Sequence, residues 1–165
     1  MSAADHDHTF VWDGQALLPC ACGADVMAIG AVLGAAADDA RKVVGEAHYT
    51  GCRLRQESET VELWLFNAPW RILEKLEAMH PGVYLIHNDA PRPHTALLEL
   101  MDALPVDRLK VEGIHIVGVG PTHDGCLHVS VMGDVPTAQA RLEAIFGSNV
   151  ARVEYGEPLC ALSFP

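Results

Sequence analysis

Two stretches of this chain repeat one pattern, and the repeat limits the folds open to it. The first is TVELWLFNAPWRILEKLEAMHPGVYLIHNDAP, and the second is CLHVSVMGDVPTAQARLEAIFGSNVARVEYGEP. Each opens with strict alternation, as a half-buried strand requires. Val61, Leu63 and Leu65 match Leu127, Val129 and Val131. Asn67-Ala68-Pro69 then matches Asp134-Val135-Pro136. Asn and Asp accept hydrogen bonds from free helix N–H groups, and proline is tolerated in a first helical turn. The helices that follow carry apolar stripes, Ile72, Leu73, Leu76 and Met79 in one and Ala138, Leu142, Ile145 and Phe146 in the other. Leu-Glu-Ala recurs at 76–78 and 142–144. Each helix stops at a glycine turn, and a further strand follows, VYLIH or VARVEY.

A strand also precedes each unit: YTGCRLRQ before the first and GIHIVGVG before the second. Each half therefore reads strand–strand–helix–strand. The fold class expected is α+β, a tandem duplication of β-β-α-β units forming a ferredoxin-like, largely antiparallel sheet with helices on one face. The first unit spans 50–91 and the second 111–165, with a C-terminal tail. A connecting helix occupies 92–110, centred on His94–Leu104. Residues 1–49 form a hairpin and helix segment packing on the core. There Asp13-Gly14 sits between two apolar runs, a hairpin signal.

Alternation also assigns faces. Leu127, Val129 and Val131 face the helices, so Cys126, His128, Ser130 and Met132 share the other side. In the first unit Glu62, Trp64 and Phe66 lie on that second side, with Leu85 and His87, and Arg152 and Glu154, as neighbours from the last strands. Aromatic and methionine anchors set among polar groups suit a recognition surface. The binding residues expected are Trp64, Phe66, Met132, Arg152 and Glu154. The same composition also suits burial beneath the first fifty residues.

THDGCLHVSV, residues 122–131, raises a metal reading. Cys126 and His128 point the same way on one strand, and His87 can approach from another. Zinc needs three or four converging ligands, so His87, Cys126 and His128 are the candidate set. Asp124-Gly125 accounts for the turn without any metal. Cys20 and Cys22, and His6 and His8, are further ligand types with poorer spacing.

No G-x-S-x-G, P-loop, H-E-x-x-H or G-x-G-x-x-G occurs. Cys126 and His128 would sit roughly 6–7 Å apart along a strand, too far for direct proton transfer. A net charge of −11 disfavours nucleic acid and anionic membranes as partners. The longest apolar run is too short for a bilayer span, and the N-terminus has no basic-then-apolar leader. Five cysteines without a C-x-x-C pair read as reduced thiols in a cytoplasmic protein.

Residues 111–158, VEGIHIVGVGPTHDGCLHVSVMGDVPTAQARLEAIFGSNVARVEYGEP, resemble the pro-region domain of α-lytic-protease and streptogrisin-type serine proteases. The likeness lies in the apolar strands, the Asp-Gly turn and the helix start. It implies a strand–strand–helix–strand domain that chaperones or inhibits a protease and passes a C-terminal tail to its cleft. Here that tail would be Leu159–Phe164. The pattern would also call for an export signal and a following protease domain, and neither is expected from the N-terminal residues or the end at Pro165. The function expected is a non-catalytic module that binds another protein or itself. The alternative is a small-molecule or zinc site, and with it a small enzyme, on the same sheet face.

Overall fold

The structure is a computed structural model that describes residues 11–12, 17–18 and 25–157. The chain divides into two compact units, Met1–Ala90 and Pro91–Pro165. In the first, β1 (Val11–Trp12) pairs antiparallel with β2 (Leu17–Leu18), and the Asp-Gly expected to turn between them lies outside the described residues. There follow α1 (Val26–Val44), β3 (Tyr49–Arg55), β4 (Thr60–Leu65), α2 (Trp70–Met79) and β5 (Tyr84–His87). The second unit holds α3 (His94–Asp102), α4 (Val106–Val111), β6 (His115–Pro121), β7 (Leu127–Met132), α5 (Val135–Phe146) and β8 (Ala151–Tyr155). The chain is α+β and carries the β-β-α-β plan twice, consistent with the ferredoxin-like expectation.

The sheets are mixed, and this departs from the antiparallel expectation. Their orders are β3-β4-β5 and β6-β7-β8, each a separate three-stranded sheet. Hairpins make β3–β4 and β6–β7 antiparallel, while β4–β5 and β7–β8 are parallel. The reason is the connection: a helix between two adjacent strands carries the chain back to the starting end, so the second strand enters in the same direction.

The middle strand anchors each unit. Val61, Leu63 and Leu65 are fully buried in the first core with Leu33, Ala36 and Leu76. Leu127, Val129 and Val131 do the same in the second with Leu97, Leu109 and Leu142. Truncating one of these leucines to alanine costs about 2–5 kcal/mol, because the cavity refills only partly.

The first fifty residues do not lay α1 over the mixed face. Val26–Val44 is a single helix, and its Leu33, Ala36, Ala40 and Val44 join the core formed by the apolar face of the sheet. Asp25 caps it by accepting from Met27 N–H at 2.8 Å, and Gly45 ends it at φ 72°. Tyr84 Oη donates to the Ala36 carbonyl at 2.8 Å, tying β5 to this helix. The segment expected as one connecting helix is two, because Pro105 cannot donate to a continuing ladder. Leu97, Leu104 and Leu109 from this segment belong to the second core, so it does the job that α1 does in the first.

The expected helix caps also differ. Asn67 sits at φ 46° as a left-handed turn residue, and Pro69 occupies the cap position of α2. Asp134 is at the cap of α5 but accepts from the Thr137 hydroxyl rather than from a backbone N–H.

Two glycines give opposite expectations. A Cβ on Gly156 would meet Ser130 Cβ and Val117 Cγ2, each at 2.7 Å, whereas one on Gly34, within α1, would meet nothing within 4 Å. Gly156→Ala is expected to lose about 1–3 kcal/mol of stability through overpacking. Gly34→Ala should gain about 0.5–1 kcal/mol by restricting the unfolded chain and favouring helix. Urea unfolding monitored by circular dichroism measures both.

Candidate functional site

In both units the helices use the apolar face of the sheet, so the mixed side chains stand on the opposite face. In the first unit strand register places Glu62 beside Leu85 and Trp64 beside His87. Glu62 is 6% exposed, although its face is the polar one. Arg55 Nε donates to Glu62 Oε2 at 2.7 Å, and His87 Nε2 lies 3.0 Å from Glu62 Oε1. The His87 ring stacks on Trp64, with centroids 5.1 Å apart and planes 20° from parallel. Arg55 hydrogen bonding, opposed by burial and aided by His87, holds the Glu62 carboxyl below the ordinary carboxylate range. Both oxygens are taken, so this carboxylate serves as an anchor for its neighbours, not as an open general base. Phe66, half-buried at the end of the row, is held by its backbone: its N–H donates to the His48 carbonyl at 2.7 Å, and its carbonyl lies 2.9 Å from His48 Nδ1.

The second unit repeats this layout with the partners exchanged. Register sets His128 beside Arg152 and Ser130 beside Glu154. His128 Nε2 lies 2.9 Å from Glu154 Oε1. In one unit the acid is on the middle strand and the imidazole on the last; in the other they trade places. Both contacts run diagonally between neighbouring strands. The second pair is open to water, with His128 41% and Glu154 60% exposed, so it contributes at most about 1 kcal/mol. Met132 and Arg152 are also exposed, and Arg152 Nη2 reaches Asp124 Oδ2 at 2.7 Å. Burial alone would raise the Asp124 carboxyl, but hydrogen bonds from Thr122 and Arg152 outweigh it and lower it.

The candidate zinc set is not assembled as a cluster. Among the described residues no group of three or more His, Cys, Asp and Glu side chains is arranged to hold a metal ion. Within the second unit Cys126 precedes β7, is buried, and turns its thiol toward the Asn149 carbonyl at 3.5 Å, while His128 is engaged by Glu154. His87 belongs to the first unit and is bound to Glu62. The THDG segment is a hairpin turn. Gly125 takes φ 91°, Cys126 N–H donates to Thr122 Oγ1 at 3.0 Å, and Arg92 donates to the Gly125 carbonyl at 2.7 Å. His6, His8, Cys20, Cys22 and the tail Leu159–Phe164 lie outside the described residues.

No protein-family model, curated protein or solved structure matches the chain. Among the described residues no helix is long and apolar enough to cross a membrane.

Sequence reasoning placed Trp64, His87 and Glu62 on one face but did not single out Arg55 or the burial of Glu62. Arg55 comes from the hairpin partner strand, and only the register of that hairpin could have flagged it.

Glu62 has a pH signature. Its carboxyl is lowered in the folded state, so its stabilisation is complete above the ordinary carboxylate range and disappears as pH falls through the lowered folded value. Glu62→Gln should cost about 1–3 kcal/mol at pH 7 by removing the charged acceptor that Arg55 and His87 share. It should also flatten the acid limb of the stability profile. Urea midpoints measured from pH 7 down to pH 3 test this, and an unchanged acid limb would show that Glu62 does not carry it.

Proposed function

We propose that this protein is a non-catalytic protein-interaction module whose outer sheet faces bind another protein or a second copy of the chain. The observation that carries the reading is the first unit's outer face. Trp64 is half-buried and stacked on His87, Leu85 is 47% exposed on the same sheet, and Phe66, half-buried, follows just past the end of β4. The Arg55–Glu62–His87 cluster stiffens this row from below. A rigid aromatic side chain loses little entropy on contact, which is why such groups dominate interface energetics. Met132, Arg152 and Glu154 offer a more polar counterpart on the second unit.

The resemblance to a protease pro-region accords with a chaperoning or inhibitory role, and the partner would then be a protease. Native mass spectrometry of the untagged protein from mild lysis should record a mass above that of the bare chain, either a dimer or an added protein. Leu85→Lys should remove that added mass with the circular dichroism spectrum unchanged, and Trp64→Ala should weaken it. A bare-chain mass for the wild type at every concentration would overturn the proposal. So would an assembly indifferent to both substitutions.

A further inference from the structure

The two units treat the outer edge of their last strand differently. In β8 the bond from Leu127 N–H to the Val150 carbonyl sets the phase, so Ala151 and Val153 turn their backbone groups away from β7. Gln139 of α5 fills that edge. Its Nε2 donates to the Ala151 carbonyl at 3.0 Å, and its Oε1 accepts from Val153 N–H at 2.9 Å. A side-chain amide there stands in for a neighbouring strand.

The phase is the same in the first unit, where Val61 N–H donates to the Val83 carbonyl at 2.8 Å. Tyr84 and Ile86 therefore direct their N–H and carbonyl groups outward from β5. The spacing that matches Leu76 to Leu142 matches Leu73 to Gln139, so the plug is replaced by a leucine. Among the described residues no side chain fills this edge, and beside it lies a groove of about 680 Å³, lined by Trp70, Leu73, Glu74, Glu77, Pro81 and Ile86. Trp70 is 70% exposed. Edge strands are ordinarily blunted, because unpaired backbone groups are a template for another strand.

We propose that this β5 edge takes an extended peptide as a fourth strand. Tyr84 and Ile86 supply the backbone hydrogen bonds, and alternate peptide side chains enter the groove. An apolar residue would rest on Trp70, Leu73 and Ile86, and lysine or arginine on either side of it would meet Glu74 and Glu77. Charge selects this occupant. A second copy paired edge to edge would set these glutamates against their own counterparts, on a chain of net charge −11. The site does not rest on the outer-face reading, since it uses the edge and the α2 side of the sheet.

The test uses the full chain and a fluorescein-labelled peptide, Thr-Lys-Thr-Leu-Thr-Lys-Thr, with its lysines and leucine in register for the groove. Anisotropy should show saturable binding, and amide exchange at Ile86 should slow in the complex. Replacing both peptide lysines by glutamate should weaken binding by about tenfold or more. Leu73→Gln, which copies the Gln139 plug, should abolish binding, and Trp70→Ala, a change at an exposed position, should weaken it in a folded protein. Val111→Lys, at an exposed position of the second unit, should leave it within about twofold. The proposal falls if the peptide does not bind, if it binds without protecting Ile86, or if Leu73→Gln and Trp70→Ala both bind normally. It falls equally if Ile86 is protected in the free protein and loses that protection on dilution, which would make a second copy the occupant. Protection lost on deleting residues 158–165 would assign the edge to the chain's own end, with the same consequence.

Discussion

Each unit depends on one row of side chains along its middle strand. Val61, Leu63 and Leu65 in β4, and Leu127, Val129 and Val131 in β7, are no more than 1% exposed. Their burial against helices makes strand register expensive to change. A slip of one residue would send Glu62 and Trp64, or His128 and Ser130, into the core. The outer face is thereby determined by exclusion. Its side chains, apart from the buried Glu62, are less constrained by packing than the opposite row.

The outer faces of the two units differ accordingly. The scaffold is the same, with a hairpin, a helix and a parallel return strand, yet the outer groups are arranged differently. An acid–imidazole pair stands on each, with its members exchanged between strands. In the first unit the carboxylate of the pair is buried and reinforced by Arg55; in the second it stands in water, and the imidazole is partly exposed in both. Burial raises both the desolvation cost and the electrostatic strength of such a cluster, so only the first is a rigid anchor. The strand edges diverge in the same way. Gln139 closes one edge with two hydrogen bonds, and Leu73 leaves the other lined by apolar surface. Two units of the same plan thus differ: among the described residues one carries a plugged strand edge, and the other an aromatic outer face beside an apolar groove.

The α+β class, the repeated β-β-α-β plan, the hairpins and the division of each sheet into two faces follow from the chain's periodicity and turns, since each is a local property. Alternation assigns Leu63 and Trp64 to opposite sides before any contact is known, and Asp124-Gly125 identifies its turn from backbone freedom alone. Tertiary structure decided where distant segments meet. It set α1 on the apolar face beside α2, made the sheets mixed, brought Arg55 and His87 to the two oxygens of Glu62, and turned the Gln139 amide onto the edge of β8. Those outcomes depend on strand register and on packing between elements far apart in sequence. Neither leaves a periodic trace, so a glutamine on a helix reads the same whether it faces water or completes a sheet.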